Sequence, residues 1–325
     1  MIIRMSNDLK EQKIYANGDE LANIMGLDRE DGKRVVGYPP DKEVHVHSFK
    51  DPILMTDNYR ISQLNPTLRD TLFALYESRP RIIEYDGVST IWDQRHSNVW
   101  CPSIDTLLFA KALRKIFVEN FSFRNDDLTI DIDINNIKRV IEIGCGSAFL
   151  SKYLLTKSKI ENIMINDINP EAVKCAMDNI RDSRALFMDG DGLELLRYET
   201  DLKYFAKKFD LIICNAPYVP RPDSINGNPY EGIELLTHLV HNGQRYLNKG
   251  GIIITNISSL GWKLVFKEIT EMNMFEIESL KVPLKVNNIL NNKDWLEYLR
   301  KLGLKSENNN GYEYWQRINI VLLHR

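Results

Sequence analysis

A four-residue segment, Asn215-Ala-Pro-Tyr218, carries the residue types best suited to chemistry, and it follows the apolar stretch Leu211-Ile-Ile-Cys214, which predicts a buried strand. A planar amide or exocyclic amine is a poor nucleophile because its lone pair is delocalised, so a site that uses such a nitrogen must hold it. The Asn215 side-chain oxygen and the Ala216 carbonyl oxygen can accept its two N–H groups, while the Tyr218 ring can face a positive charge. The segment predicts methyl transfer to a planar nitrogen, with four catalytic residues: Asn215, Ala216, Pro217 and Tyr218.

A second segment upstream, Glu142-Ile-Gly-Cys-Gly-Ser-Ala148, predicts the end of a strand and a glycine turn. Its glycines let the backbone turn sharply and approach a ligand that a side chain would exclude. A dinucleotide fingerprint needs a third glycine at position 149, where this chain has Phe149. The acidic Glu142 before the turn and the small Ala148 after it instead resemble the first motif of S-adenosylmethionine-dependent methyltransferases. The resemblance implies S-adenosylmethionine as cofactor, bound by Glu142, Gly144, Cys145 and Gly146.

Carboxylates follow the next two predicted strands. Asp167 lies about 20 residues beyond the glycine turn, where a carboxylate can accept hydrogen bonds from both ribose hydroxyls. The helix after it begins at Asn169-Pro170, since asparagine is a good N-cap and proline is tolerated at the first helical position. One carboxylate of Met188-Asp-Gly-Asp-Gly192 can accept the adenine amine, and we favour Asp191 over Asp189. The cofactor site is completed by Ile168 and Asn215.

The elements that position these segments alternate between short apolar strands and amphipathic helices. Strands are predicted near 139–143, 162–166, 184–188, 210–214 and 251–257, with helices beginning near Ser147, Pro170, Gly192, Glu231 and Gly261. Two further strands, near 275–282 and 312–323, flank an Asn-rich insertion with a helix at 294–302 and an expected loop at 308–310. The pattern predicts an α/β fold with a doubly wound, seven-stranded, mostly parallel sheet, which binds ligands at the carboxyl ends of its strands.

The N-terminal part of the chain is less regular, and no element is predicted with confidence before residue 64. A helix is predicted from Asn65-Pro66 to Arg79, followed by a hairpin over residues 82–92 with Asp86-Gly87 as its turn. A further helix, capped by Ser103 or Asp105, has an apolar face that we expect to pack on the sheet. We expect this smaller N-terminal region to be α+β.

Three segments together resemble class I methyltransferases with an Asn-Pro-Pro-Tyr motif, and within them the protein N5-glutamine methyltransferases that modify release factors or ribosomal proteins. They are Val99-Trp-Cys-Pro-Ser-Ile-Asp-Thr-Leu-Leu108, Asn166-Asp-Ile-Asn-Pro-Glu171 and Asn215-Ala-Pro-Tyr218. The likeness covers residues 99–257. It implies a substrate-recognition region at 1–98 and a methyltransferase domain at 99–325 with an insertion near 284–310. In the family, the asparagine and the following carbonyl bind the glutamine amide, which implies Asn215 and Ala216. The chain departs at Ala216, which lacks the fixed φ of proline.

Composition narrows the class of protein further. The chain has 325 residues, with 42 Lys+Arg against 45 Asp+Glu and a net charge of -3, so it lacks the basic excess that phosphate-backbone binding usually requires. Its 4 cysteines form no C-x-x-C pair, which predicts a reduced, cytoplasmic protein. No apolar run approaches the length of a membrane span, so no membrane association is expected. His45 and His47 alternate, but no further cluster supports a metal site.

The sequence leaves the methyl acceptor open. A glutamine in a protein such as a translation factor is our first choice, and an exocyclic amine of adenine or guanine in RNA or DNA is the alternative, because both present a flat conjugated NH2. A small-molecule amine is third. A cofactor-binding partner without catalysis is a different class of function, and Ala216 is its one supporting feature.

Overall fold

The computed structural model describes residues 2–7, 10–15, 82–92, 98–100, 102, 104–124, 129–130, 132–192, 208–225, 231–267, 273–284, 287–309 and 312–324. The helix expected from Asn65, the histidines at 45 and 47, and most of the helix expected from Gly192 lie outside these residues. Among the described helices, none combines the length and the apolar character that crossing a bilayer requires.

The described elements follow the alternation expected from residue 139 onward. The strands are β1 (Ile2–Asn7), β2 (Lys10–Tyr15), β3 (Ile82–Tyr85), β4 (Val88–Ile91), β5 (Phe123–Arg124), β6 (Thr129–Ile130), β7 (Arg139–Ile143), β8 (Asn162–Asp167), β9 (Ala185–Asp189), β10 (Phe209–Cys214), β11 (Leu247–Ser258), β12 (Asn273–Pro283), β13 (Ser306–Asn309) and β14 (Tyr312–His324). The α-helices are α1 (Ile104–Phe117), α2 (Phe149–Lys157), α3 (Pro170–Asn179), α4 (Glu234–Asn242), α5 (Trp262–Val265), α6 (Asn287–Leu290) and α7 (Lys293–Lys301). Short 3-10 turns occupy Ile134–Asn136 and Gly243–Tyr246.

The main sheet has the strand order β9-β8-β7-β10-β11-β14-β12, with β13 paired to β14 outside that path. Neighbouring strands from β9 to β11 are parallel, while β14 runs antiparallel to both β11 and β12. The predicted seven-stranded, mostly parallel sheet is therefore confirmed. The loop expected over the asparagine run is wrong at Asn309, because its backbone pairs with Tyr312 in β13 and β14.

Apolar side chains cover the sheet on both faces. Along β10, Leu211 and Ile213 belong to one buried cluster, and Ile212 and Cys214 belong to the other. The first cluster includes α1 and α2, and the second includes α4 and α5. Burial on both faces explains why β7, β8 and β10 are continuous apolar runs rather than alternating ones.

Helix α1 packs on the sheet as its apolar face predicted, with Leu107, Leu108 and Phe109 fully buried. Two lysines on the helix also reach the sheet, where Lys111 and Lys115 lie 3.2 and 2.6 Å from the Glu278 carboxylate on β12. Glu278 is almost fully buried, and the two cations offset the cost of burying its charge. These contacts hold the second half of α1 on the sheet, while Asp105 in its first turn contacts Asn215 at the carboxyl edge.

A smaller antiparallel sheet has the order β2-β1-β3-β4. The hairpin between β3 and β4 turns at Asp86 and Gly87, whose φ angles of 52° and 75° are both positive, as a type I′ turn requires. This predicted hairpin is confirmed, whereas β1 and β2 were not predicted. The hairpin contacts α2 through Asp86, which accepts a 3.0 Å hydrogen bond from the Tyr153 hydroxyl.

Candidate active site

The glycine turn after β7 has the backbone geometry that its residues allow. Gly144 and Gly146 have φ angles of 70° and 52°, in the left-handed region that favours glycine. A side chain at Gly144 would meet nothing within 4 Å, so the space beside this backbone is open to a ligand. At Gly146 a Cβ would lie 3.4 Å from the Trp100 carbonyl oxygen. The segment before α1 therefore passes close to the turn.

Asp167 ends β8 beside this turn and is buried. One carboxylate oxygen accepts a hydrogen bond from the Gly146 backbone N–H and the other accepts one from Asn169, each at 2.9 Å. Burial raises the pKa of Asp167, and the two backbone bonds oppose that rise. Each oxygen keeps a further lone pair, so the carboxylate can still accept two hydroxyl hydrogens. Asn169 caps α3 as predicted, accepting from the Glu171 N–H.

Glu142 lies at the end of β7 and its side chain is turned toward α2. Its Oε2 accepts a 2.9 Å bond from the Ser151 backbone N–H and a second, shorter bond from the Ser151 hydroxyl. Burial raises the pKa of Glu142 to about 8, and the Ser151 bonds act in the opposite direction. The residue therefore ties the strand to the first turn of the helix that follows the glycine turn.

The acidic side chains at the end of β9, in the third segment expected to bind the cofactor, are exposed. Both Asp189 and Asp191 face solvent, and Ile168 exposes 42% of its surface at the end of β8. The Gly190 N–H donates to the Asp167 carbonyl oxygen at 3.0 Å, which holds the two strand ends together. An exposed apolar side chain and nearby carboxylates suit the face and the amine of a purine.

Asn166 joins the end of β8 to the end of β9 at this edge of the sheet. It is fully buried, and its amide donates to the carbonyl oxygens of Met188 and Gly190 at 3.1 and 3.0 Å. A Cβ at Gly192 would lie only 2.5 Å from Asn166 Oδ1. Glycine at 192 is thus required by close packing rather than by ligand approach.

The acceptor segment follows β10 at the same edge, with Asn215 half-buried and Ala216 buried. Asn215 Nδ2 donates to Asp105 Oδ2 at 3.2 Å, and Asn215 Oδ1 accepts from Asn256 Nδ2 at 2.7 Å. The same Asn256 nitrogen also donates to the Ala216 carbonyl oxygen at 3.1 Å. The oxygens of Asn215 and Ala216 are therefore spaced so that both accept from a single amide NH2 group.

Tyr218 completes the segment. Its ring is half-buried and packs against the cluster that includes α1 and α2. Burial, with a smaller effect from the charge of Asp105, raises the pKa of the Tyr218 hydroxyl well above its ordinary value. The ring consequently stays neutral at any physiological pH and presents a π face. Pro217, which lies between Ala216 and Tyr218, is half-buried.

The loop beyond the segment is held at two points. Arg221 lies 2.6 Å from the Glu234 carboxylate at the start of α4, and Trp295 of α7 donates its indole N–H to the Pro220 carbonyl oxygen at 2.8 Å. The insertion therefore contacts the loop that borders the acceptor segment.

Two residues of this edge were missed by sequence reasoning. Asp105 was assigned as a possible helix cap, but it lies in the first turn of α1, inside the helix, and bonds Asn215 110 positions away. Asn256 was not singled out at all. Its position could have indicated a role: Asn256 is a polar residue near the carboxyl end of β11, which neighbours β10, and it follows the apolar run Ile252-Ile-Ile254 and Thr255.

Among the described residues, no group of three or more His, Cys, Asp or Glu side chains is placed to hold a metal ion. The described cysteines, Cys145, Cys175 and Cys214, are buried. Burial raises the pKa of the Cys145 thiol well above its ordinary value, so it lies beside the glycine turn as a neutral group.

The sheet order, the antiparallel β14, the glycine turn and the carboxylate at the end of β8 are those of the class I S-adenosylmethionine-dependent methyltransferase fold. The open backbone at Gly144, the free lone pairs of Asp167 and the exposed Ile168 fit that cofactor. In agreement with this class, residues 127–279 match the family model "Methyltransferase small domain".

Three relatives are similar to this chain. A protein of Methanocaldococcus jannaschii, provisionally named a protein N5-glutamine methyltransferase, is 28% identical over 65% of this chain and 98% of its own length. The release factor glutamine methyltransferase of Aquifex aeolicus is 26% identical over 43% of this chain and 53% of its own length. The tRNA1(Val) (adenine(37)-N6)-methyltransferase of a Flavobacteriaceae bacterium is 32% identical over 26% of this chain and 36% of its own length. The chain thus spans about half of the Aquifex relative and about a third of the tRNA enzyme.

Proposed function

We propose that the protein transfers a methyl group from S-adenosylmethionine to the side-chain amide nitrogen of a glutamine in a protein. The observation that carries the proposal is the pair of oxygens Asn215 Oδ1 and Ala216 O, which accept both hydrogens of one planar NH2 group, here that of Asn256, at 2.7 and 3.1 Å. Each oxygen has a second lone pair with which it can accept from the substrate. The names of the Methanocaldococcus and Aquifex relatives support the same acceptor.

Asp105 supports the proposal by fixing the orientation of Asn215. A carboxylate only accepts hydrogen bonds, so the Asn215 amide must direct its NH2 toward Asp105 and its oxygen toward the acceptor site. An amide in the opposite orientation would place two oxygens against each other. The site therefore presents an acceptor, and not a donor, to the incoming nitrogen, which selects an NH2 group over a carbonyl or carboxylate oxygen.

The cofactor, when bound, would supply a methyl group on a sulfonium sulfur; its transfer to the amide nitrogen would break the S–CH3 bond, leave that electron pair on sulfur and release one amide proton to solvent. Asn215 and Ala216 hold the amide and stabilise the positive charge that develops on nitrogen. Tyr218 faces that charge with its ring. Gly144, Cys145 and Gly146 bind the cofactor through their backbone, Asp167 binds its ribose, and Ile168 with Asp191 or Asp189 binds its adenine. Glu142 supports this site by holding α2 against the turn.

The test is transfer of a labelled methyl group by the purified protein into whole-cell lysate, with and without nuclease and protease. We expect label that survives nuclease, is solubilised by protease, and is located on a glutamine amide by mass spectrometry of the peptides. Label that nuclease releases, on the exocyclic amine of a purine, would replace the proposal with the second candidate. Absence of label in any polymer would contradict both.

The second candidate, an exocyclic amine of adenine or guanine in a nucleic acid, is favoured by one observation. The tRNA1(Val) (adenine(37)-N6)-methyltransferase is similar to part of this chain, and its named acceptor is a flat conjugated amine. The net charge of -3 counts against it, since binding to a phosphate backbone is dominated by Lys and Arg contacts.

We also propose that residues 1–98 recognise the substrate, while residues 99–325 carry the cofactor and acceptor sites. The contacts of the β3–β4 hairpin with α2 and α3 support a fixed position for part of this region, because the Ile91 N–H donates to Asn179 Oδ1 at 2.7 Å. A cytoplasmic location remains a prediction from the cysteine pattern.

A further inference from the structure

Asn256 lies on β11 directly beside Asn215. The strands β10 and β11 are parallel, with Cys214 paired to Thr255, so Asn215 and Asn256 occupy the next position along each strand. Asn256 is fully buried, in a strand where Ile253, Ile254 and Ile257 are buried and apolar while Thr255 and Ser258 are buried and polar. A buried amide at this position must find its hydrogen-bond partners within the protein.

Hydrogen bonding fixes the orientation of the Asn256 amide. Asp105 turns the Asn215 oxygen toward Asn256, so Asn256 must present its NH2 group to that oxygen. The second hydrogen of the same group is donated to the Ala216 carbonyl oxygen. Asp105, Asn215 and Asn256 thus form one chain of hydrogen bonds in which the direction of each bond is set by the carboxylate at its start.

One atom of the Asn256 side chain contributes nothing to stability that the structure shows. Its Oδ1 is buried and has no hydrogen-bond partner among the described residues. Burying a polar atom without a partner destabilises the folded state, and an apolar side chain of similar size would avoid that cost. The Asn256 NH2 group, by contrast, is bonded twice, and both bonds go to oxygens of the acceptor segment, which indicates a role in the site itself.

We propose that Asn256 is a positioning residue that holds Asn215 Oδ1 and Ala216 O as a rigid pair of acceptors. This proposal rests on the proposed function. A proline at position 216 would fix φ and with it the direction of the carbonyl, and Ala216 lacks that restraint. Here the bond from Asn256 to the Ala216 carbonyl supplies the restraint from the neighbouring strand. The pair then remains in the arrangement that the substrate NH2 requires, which is the condition for stabilising charge in the transition state.

The test compares Asn256→Leu with Asn256→Ala, both measured for methyl transfer to a glutamine peptide, for binding of S-adenosylhomocysteine and for thermal unfolding. We expect kcat to fall about 10- to 100-fold, because misplacement of a reacting group costs a rate factor of that order. Cofactor affinity should stay within about twofold. Both variants remove the unpaired Asn256 oxygen but also leave the Asn215 and Ala216 oxygens without this donor, so thermal unfolding is measured beside kcat and the variants should remain folded at the assay temperature.

The decisive measurement is rescue. Ala216→Pro in the Asn256→Leu background should restore a large part of the lost kcat, because one restraint replaces the other. Thr255→Val is the matched control: it removes a buried 2.9 Å bond from the adjacent residue to the Cys214 carbonyl oxygen, and should lower stability while leaving kcat unchanged.

The outcomes separate the two proposals. If the wild type methylates glutamine and Asn256→Leu has the same kcat, the positioning role is wrong and the proposed function stands. If the loss of activity parallels a loss of cofactor binding or of folding, or if Ala216→Pro gives no rescue, Asn256 is merely structural. A wild type that transfers no methyl group to glutamine overturns both.

Discussion

The indole N–H of Trp295 donates a 2.8 Å hydrogen bond to the carbonyl oxygen of Pro220, joining the insertion after β12 to the loop after the acceptor segment. Trp295 belongs to a small buried cluster with Leu260, Leu284, Leu299 and Tyr314, and Val219 and Ile225 of the same loop pack against it. The insertion thus has its own apolar core, one side of which is the loop. It supports the border of the acceptor site rather than projecting away from it.

Trp295→Phe should leave the packing of this cluster largely in place and remove the hydrogen bond. We expect unfolding stability to fall by about 1–3 kcal/mol, because the buried Pro220 carbonyl loses its partner. The KM for the acceptor peptide should rise while cofactor affinity is unchanged, since the loop borders only the acceptor. Steady-state kinetics and chemical denaturation measure both effects. Trp262→Phe, at a half-buried tryptophan packed 5.1 Å from the Phe266 ring, is the control for loss of indole area. An unchanged KM would mean that the insertion plays no part in substrate binding.

Asn215→Ala should abolish methyl transfer while leaving S-adenosylmethionine affinity within a few fold, because the residue holds the acceptor amide. The matched control is Asn248→Ala on β11. Its amide donates to Asp210 Oδ1 at 2.6 Å near the opposite end of the sheet. Isothermal titration and labelled-methyl transfer separate binding from chemistry. An active Asn215→Ala enzyme would contradict the mechanism.

Asp167→Ala should weaken cofactor binding by about 10- to 100-fold, the loss expected when hydrogen bonds to a charged group worth about 1.5–3 kcal/mol are removed. The variant also loses the bonds to Gly146 and Asn169, so thermal unfolding must be measured beside titration of S-adenosylhomocysteine. The control is Asp182→Ala, which breaks an exposed 2.7 Å pair with Arg184 ahead of β9 and should leave affinity unchanged. Equal affinity in Asp167→Ala and wild type would remove Asp167 from the cofactor site.

Glu142→Gln should change how stability depends on pH. The folded-state pKa of Glu142 is about 8, against an ordinary value of 4.5, so between these two values the folded protein binds more protons than the unfolded one. Stability contributed by the protonated group is full below pH 4.5 and is lost as pH rises through 8, with a slope of at most about 1.4 kcal/mol per pH unit. The glutamine variant has no carboxyl group at this position and so lacks this pH-dependent contribution to stability. We therefore expect the difference in unfolding free energy, variant minus wild type, to increase from pH 5 to pH 8, as measured by urea denaturation at several pH values. A difference that is constant with pH would mean that Glu142 has an ordinary pKa.

The sequence predicted those parts of the fold that depend on local patterns. Continuous apolar runs located β7, β8 and β10, and the hairpin at Asp86-Gly87 followed from two residues that tolerate positive φ. The helix cap at Asn169 was likewise local. The cofactor segments could be located because each ends a predicted strand, and parallel strands place their ends together.

The residues that escaped prediction act across long sequence separations. The partner of Asp105 lies 110 positions away, and the partner of Asn256 lies 41 positions away. A polar residue at the end of a strand has the same local pattern whether it faces water or a neighbouring strand. The prediction of the smaller antiparallel sheet was incomplete for a similar reason. β1 and β2 are short and alternate only weakly between apolar and polar residues, and β1 pairs with β3, which lies far along the chain.

The position of β14 has a consequence for how the molecule is made. It lies between β11 and β12, although both precede it along the chain. Synthesis proceeds from the N-terminus at about 5–20 residues per second, so both strands emerge before the strand that joins them. Until then the β11 edge has open backbone groups, and Asn256 lies on a strand with one neighbour. The cofactor half of the sheet, β7 to β9, needs only one later strand, β10, which precedes β11 along the chain. The nascent chain therefore acquires the means to bind a methyl donor before it completes the support of the methyl acceptor.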